Sequence, residues 1–297
     1  MWQVSWAHPK FGVLLASCSY DGRVIIFRES PANNWQQIYV HAVHESSVSS
    51  IQWAPYEYGL CLACASSDGS VSVLTHTPQG WVSSKFQDST LGCNSVSWAP
   101  AEGSDQHVKR LVTGSCDYNV KIWRETEDGW KMEERLVTDG AQSTHGDWVR
   151  DVAWAPNSGL PTNIIASCSE DKKVFIFSQE LGRTKWEHTL LHEFAAPVWR
   201  VSWSITGHVL AVRHGSMLTP RCCTRAHFAT PPFPSLQVSS GDHQVTLWKQ
   251  SLDRAWRCVR ACAPTLAVVV VLLSLLVMLP GRMISSVSEN GTLNVQQ

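Results

Sequence analysis

The side chains of this 297-residue chain that could do chemistry are aspartates and histidines that recur at regular intervals. Aspartates that precede a valine by three residues are Asp21, Asp68, Asp117, Asp171 and Asp242. A carboxylate in such a set could act as a catalytic acid or base. Each occurs once per repeat, and no repeat adds a distinctive chemical partner. We therefore interpret the five as turn formers whose carboxylates accept backbone N–H bonds.

Two histidines are expected to assist these aspartates. His44 and His145 each lie four residues before the valine that begins a predicted strand. A neutral imidazole at that place can hydrogen-bond a repeat aspartate and tie the loop to its sheet. His188 and His192 are also four residues apart, a spacing that on a helix would suggest a metal pair. They flank a predicted outer strand, so we interpret them as surface residues.

Neither the cysteines nor the known catalytic motifs predict a reactive centre. Cys61 and Cys64 form a single CxxC, and without a second pair at the right spacing a zinc site is not predicted. The chain has no P-loop, GxSxG, HExxH or post-strand GxGxxG motif. No catalytic, cofactor-binding or metal residues are therefore predicted, and the ten cysteines are expected to be reduced thiols of a cytosolic protein.

The formal charge of −1 argues against direct binding of nucleic acid, because no basic stripe accompanies the fifteen tryptophans. A specific protein surface remains possible. The tryptophans are spaced regularly, which assigns them to a repeated structure.

The element that positions these residues is a repeat that starts with a short apolar phrase ending in tryptophan. The phrases are WQVSW, SSIQW, NSVSW, RDVAW and WRVSW. Their tryptophans are Trp6, Trp53, Trp98, Trp154 and Trp203, which are 47, 45, 56 and 49 residues apart. A second tryptophan lies in a polar segment of each repeat, at Trp35, Trp81, Trp130, Trp186 and Trp256.

Each repeat holds several short segments of period-two or β-branched character, separated by Pro, Gly, Asn and Asp. This pattern predicts a four-stranded antiparallel sheet, and sheets that recur about every 45 residues are typical of WD-repeat blades. The predicted fold class is all-β, an open WD-repeat β-propeller with about five blades in an incomplete ring. The expected blades cover about residues 1–40, 41–90, 91–140, 141–195 and 196–259.

Two segments depart from the repeat. An insertion over 213–238 splits the fifth blade, and its composition resembles translated intron sequence. Residues 260–297 are expected to lie outside the propeller, as a hydrophobic segment followed by a short polar tail. The hydrophobic segment 261–279 has nineteen uncharged residues, about 28 Å as a helix, so insertion into a bilayer is physically possible. A tail-anchored membrane protein and a poorly folded splice variant are therefore alternatives.

Four long phrases carry a likeness to one family. WQVSWAHPKFGVLLASCSYDGRVIIF, HAVHESSVSSIQWAPYEYGL, GDWVRDVAWAP and SGDHQVTLWK closely resemble the Sec-thirteen family, the WD-repeat subunits of the COPII outer coat. The likeness covers about residues 1–212 and 238–259. Relative to that family, we expect the first blade to be absent before Met1, the last to be split, and a hydrophobic tail to be added.

The resemblance implies a non-enzymatic scaffold with no cofactor. The family's six-bladed open propeller is completed by a seventh blade that a large coat subunit donates in trans. Two further implied partners are a nuclear-pore scaffold subunit and subunits of a lysosomal, GATOR-type complex that acts on TOR signalling. The implied locations are the cytoplasmic face of the endoplasmic reticulum and COPII vesicles, with peripheral membrane association through the coat, the nuclear envelope and the lysosomal membrane.

Overall fold

The computed structural model describes residues 1–30, 34–101, 108–138, 140–156, 162–180, 182–215, 244–251, 255–262, 283–287 and 293–296. Within these ranges the chain forms five four-stranded antiparallel sheets and one two-stranded sheet. The all-β fold class predicted from the repeat is confirmed, and the sheets are not closed into a ring.

The strands of each sheet follow one another in chain order, and each strand pairs antiparallel with the next. The first sheet contains β1 Gln3–Trp6, β2 Leu14–Cys18, β3 Val24–Glu29 and β4 Trp35–His41. The second contains β5 Val48–Trp53, β6 Cys61–Ser66, β7 Ser70–Thr77 and β8 Gly80–Gln87. The third contains β9 Cys93–Trp98, β10 Arg110–Ser115, β11 Val120–Thr126 and β12 Gly129–Leu136.

The fourth and fifth sheets follow the same plan. The fourth contains β13 Val149–Trp154, β14 Thr162–Ser169, β15 Lys173–Glu180 and β16 Glu187–Glu193. The fifth contains β17 Val198–Trp203, β18 Val209–His214, β19 Gln244–Gln250 and β20 Trp256–Cys262. Short 3-10 turns over Pro9–Phe11 and Tyr56–Tyr58 link the first two strands of the first and second sheets.

The core lies between neighbouring sheets. The first strand of each sheet packs against the first two strands of the preceding sheet, as β5 does against β1 and β2. Both faces of the inner strands are therefore covered, and all six residues of β6 are buried. Small side chains such as Ala63 and Ala65 fit this strand because a sheet lies on each side of it.

The fifth sheet is formed across the predicted insertion. β18 ends at His214 and pairs with β19, which begins at Gln244. Arg213 and His214, which we expected to begin the insertion, instead complete β18 because their backbones pair with Val245 and Gln244. The remainder of the insertion lies outside the described residues, as does Asp242.

The chain also continues the fifth sheet beyond the predicted boundary at residue 259. Residues 260–262 lie in β20, where they pair with Val245–Leu247. The first two residues of the expected hydrophobic segment 261–279 are thus strand residues, and positions 263–279 lie outside the described part. In the polar tail, β21 Met283–Val287 and β22 Leu293–Gln296 form a hairpin. No helix in the described ranges has the length and apolarity needed to cross a bilayer.

Shortening the connection between β18 and β19 should stabilise the fold. Deleting residues 213–238 would let Ser239 and Ser240 follow Val212 and reduce a connection of about 29 residues to about three. Because loop-closure entropy rises with the logarithm of loop length, we expect the free energy of unfolding to increase by about 2 kcal/mol. Urea denaturation of both forms measures this. Equal midpoints and slopes would contradict the expectation.

Candidate functional site

The four repeat aspartates that the structure describes lie in the turn between the second and third strands of their sheets. In each of these four turns, one carboxylate oxygen accepts the backbone N–H two residues later. The donors are Arg23 for Asp21 at 3.1 Å, Ser70 for Asp68 at 2.8 Å, Asn119 for Asp117 at 3.1 Å and Lys173 for Asp171 at 2.9 Å. Each carboxylate therefore holds its own turn in place.

In the second and fourth sheets a buried histidine joins the aspartate. His44 Nδ1 lies 3.2 Å from Asp68 Oδ2, and His145 Nδ1 lies 2.9 Å from Asp171 Oδ2. The other ring nitrogen of each histidine meets a serine hydroxyl at 2.7 Å, Ser72 or Ser167. Every nitrogen of these two rings is thus occupied within the fold.

The pKa of Asp68 follows from these contacts. Burial acts to raise the pKa of the carboxyl, but hydrogen bonds from Ser70 and the Glu45 N–H, together with the charge of His44, lower it below the ordinary value. The same balance lowers the pKa of Asp171, where the His145 side chain provides the first of the opposing contacts. Both carboxylates are ionised at neutral pH and serve as hydrogen-bond acceptors.

In the third sheet, residues that the repeat pattern did not identify replace the hydrogen bond between histidine and aspartate. Buried Asp88 accepts hydrogen bonds from Thr113 Oγ1 at 2.5 Å, from Trp123 Nε1 at 3.1 Å and from the Ser115 hydroxyl. Lys121 Nζ lies 3.6 Å from Asp88 Oδ2 and 2.6 Å from the turn aspartate Asp117. A carboxylate and an ammonium thus replace the histidine. The sequence does contain a signal for this exchange. Lys121 lies four residues after Asp117, at the position that Ser72 occupies relative to Asp68 in the second sheet.

The cysteine pair and the outer histidine pair do not form a metal site. Cys61 and Cys64 lie on opposite faces of β6, where Cys64 packs towards the first sheet and Cys61 towards the third. His188 packs near Phe175 and Phe177, whereas the ring centroid of His192 lies 5.3 Å from that of Trp248. Within the described residues, no group of three or more His, Cys, Asp or Glu side chains is placed to hold a metal ion.

The phrase tryptophans bind each sheet to the one before it. The indole N–H groups of Trp53, Trp98 and Trp203 donate to the carbonyls of Ser5, Gln52 and Ala153 at 3.0, 2.9 and 3.0 Å. Backbone N–H groups beside them donate to side chains of the preceding sheet, as Ile51 does to Gln3 Oε1 at 2.9 Å. Trp154 differs, because its ring receives the Arg110 guanidinium at 5.4 Å instead.

The equivalent face of the first sheet is exposed. Trp6 is 38% exposed, whereas Trp53, Trp98 and Trp154 are 8% exposed or less, and Val4 is 45% exposed. The ring centroid of Trp6 lies 5.6 Å from that of exposed Trp35, and Trp2, which directly precedes β1, is also exposed. We call Trp2, Val4, Trp6 and Trp35 the first-sheet face. Adjacent exposed aromatic and aliphatic side chains of this kind are typical of a protein-binding surface.

Family models for WD repeats match two parts of the chain. The model described as "Anaphase-promoting complex subunit 4 WD40 domain" matches residues 9–101, and "WD domain, G-beta repeat" matches residues 139–178. The first match runs from the first sheet through the second to β9 of the third, the second match lies in the fourth sheet, and both agree with the repeat that the tryptophans mark.

Several relatives are similar over most of the chain. The "Protein SEC13 homolog" of Drosophila melanogaster is 44% identical over 270 residues, which are 86% of this chain and 67% of the relative. The "Protein transport protein SEC13 homolog A" of Arabidopsis thaliana is 44% identical over 274 residues, 89% and 81% of the two chains. The human "Protein SEC13 homolog" is 46% identical over 201 residues, 63% of this chain and 52% of the relative.

Lowering the pH should destabilise the contact between the first and second sheets through His41, the last residue of β4. This buried ring lies 3.1 Å from Ser72 Oγ, stacks on Tyr39 and meets His44 edge-on. Burial lowers the pKa of His41 to about 4, and the charges of His44 and Lys85 act in the same direction. In the unfolded chain the His41 imidazole takes up a proton as the pH falls below about 6.5. Above that pH the ring is neutral in both the folded and the unfolded chain, so His41 does not lower the free energy of unfolding. Its penalty grows as pH falls from 6.5 to about 4.

At pH 5.0 the His41 penalty should be about 2 kcal/mol relative to pH 7.5. Urea denaturation at both pH values should therefore show a smaller loss of unfolding free energy for His41→Gln than for the unchanged chain. Parallel losses in the two proteins would exclude His41 as the group responsible.

The Asp88 network should be indispensable to the third sheet. Asp88→Ala removes the carboxylate that three buried donors share and one of the two carboxylates that pair with Lys121, and we expect it to cost about 3 kcal/mol or more. Adding Lys121→Met removes the buried ammonium that has lost this partner, so the double variant should lose less than the sum of the single changes. Thermal unfolding of the three variants measures the coupling. Additive losses would show that the two residues act independently.

Proposed function

Because the chain belongs to the SEC13 family of WD-repeat proteins, we propose that it is a non-enzymatic scaffold subunit of a COPII-type vesicle coat. In this proposal it acts in transport from the endoplasmic reticulum to the Golgi, at the cytoplasmic face of the endoplasmic reticulum membrane. The relatives of Mycosarcoma maydis and Arabidopsis thaliana carry the name protein transport protein, which supports the transport role.

The observation that carries the proposal is the exposed first-sheet face. In the second, third and fifth sheets, the same tryptophan meets a carbonyl of a neighbouring sheet. A partner that presents a β-sheet to Trp6 would supply the missing acceptor and cover Val4. We infer that a larger coat subunit donates such a sheet in trans. Burial of apolar area and backbone pairing would then supply affinity without any catalytic group.

The polar residues support a scaffold rather than an enzyme. His44, His145 and their aspartates are hydrogen-bonded to groups of their own sheets. Asp88 and Lys121 are likewise paired in the third sheet. These are the residues whose types could have performed acid–base chemistry, and in the structure they fix turns and join strands.

The same surface could serve the other assemblies that the family resemblance implies. We extend the proposal to a nuclear-pore scaffold subunit at the nuclear envelope and to GATOR-type complex subunits at the lysosomal membrane. Each would use a large partner that completes the open propeller, and membrane association would be peripheral in every case. The support for these two assemblies is the family resemblance alone.

Charges on the first-sheet face should abolish partner binding. We expect the chain to co-purify with a co-expressed large coat subunit, and Val4→Glu with Trp6→Glu to lose that partner because carboxylates would enter an apolar contact. Met132→Glu is the matched control, since Met132 is 55% exposed on the outer strand of the third sheet. Size-exclusion chromatography with light scattering reports the complex.

Two results would contradict the proposal. One is an unchanged chain that stays a stable monomer in the presence of the large subunit. The other is a complex that survives both glutamates on the first-sheet face while the variants remain folded by circular dichroism.

A further inference from the structure

The outer face of the fifth sheet differs chemically from the corresponding face of the other four. In those sheets, the second strand places a small residue against the next sheet. These residues are Cys18, Ala65, Gly114 and Cys168. Space there is tight, because a Cβ added to Gly114 would lie 2.7 Å from Val149 Cγ1. A side chain larger than cysteine at this position would collide with a sheet packed on it.

In the fifth sheet this position is Arg213. The strand registers align the sheets, since Trp203 pairs with Leu210 as Trp154 pairs with Ile165. Arg213 lies three residues after Leu210 in β18, and Cys168 lies three residues after Ile165 in β14, so the two occupy equivalent positions. An exposed arginine therefore lies where the other sheets accept their neighbour.

Arg213 lies directly opposite a second arginine. Arg200 of β17 and Arg213 are Cα partners in the antiparallel ladder, so their side chains leave the same face with Cβ atoms about 5 Å apart. Like charges at such a distance repel one another. Burial among neighbouring atoms and then the charge of Arg200 lower the pKa of Arg213.

The available carboxylate does not neutralise the two arginines. Asp151 Oδ1 lies 4.0 Å from an Arg200 nitrogen, but it also accepts the Ser95 hydroxyl at 2.6 Å. Its second oxygen accepts the Val201 N–H at 3.1 Å. Within the described residues, no acidic side chain forms an ion pair with Arg213. The two arginines thus carry one positive charge more than Asp151, a residue of the fourth sheet, can balance.

We propose that Arg200 and Arg213 form a binding site for the carboxylates of an acidic peptide segment. Two adjacent guanidinium groups offer paired N–H donors that match carboxylate oxygens. Charge complementarity identifies the occupant, because the face carries two guanidinium groups where the other sheets have no basic residue against their neighbour. The inference depends on the fifth sheet alone and goes beyond the proposed function.

Fluorescence anisotropy with a labelled hexaglutamate peptide tests the site in the full chain. We expect Arg213→Ser and Arg200→Ser each to raise the Kd roughly tenfold, because each removes charge-assisted hydrogen bonds. Arg135→Ser, which removes the same charge from the exposed outer strand of the third sheet, should leave the Kd unchanged. Arg213→Lys should restore only part of the affinity, since an ammonium cannot form the paired contact.

Competition identifies the source of the anion. Inorganic phosphate at matched ionic strength should displace the peptide no better than chloride if the site is built for a peptide carboxylate pair. Displacement by phosphate at lower concentration than the peptide itself would overturn the assignment in favour of a phosphate site. Equal weakening by Arg135→Ser, or no weakening by Arg213→Ser in a variant that remains folded by circular dichroism, would overturn the site altogether.

Discussion

The structure depends on one contact that recurs between neighbouring sheets: an aromatic ring whose polar edge meets a backbone carbonyl of the sheet before it. Trp53, Trp98 and Trp203 each make this indole hydrogen bond while their rings fill the space between the sheets. Because the inner strands are apolar on both faces, no sheet is complete without neighbours. A face without one becomes a binding surface, and in the first sheet that face contains Trp6 and Val4.

Buried polar groups at the turns follow a second constraint, which is that each must find a partner inside its own sheet. The second and fourth sheets meet it with a histidine between an ionised aspartate and a serine. The third sheet meets it with Asp88 and Lys121, a buried pair that carries charge. Two different chemistries thus hold the turn between the second and third strands, which indicates that these residues stabilise the fold.

The two ends of the row of sheets present different surfaces to solvent. The first-sheet face is aromatic and aliphatic, and it lacks only the acceptors that a neighbouring sheet supplies elsewhere. The outer face of the fifth sheet carries Arg200 and Arg213 side by side. The partners that we propose for the two faces differ accordingly, an apolar sheet for the first and an acidic segment for the second. In both proposals the charge of the face is the basis for the choice of partner.

The sequence by itself determined the repeat, the all-β fold class, the turn position of the four described aspartates and the pairing role of His44 and His145, because these follow from local spacing and turn chemistry. Only the tertiary structure decided that Asp88 and Lys121 replace a histidine, that Arg213 completes β18 and that β20 extends to Cys262. Each of these depends on contacts between residues distant in the chain. Strand register selects such contacts, and local periodicity carries no information about which distant residue will fill a position.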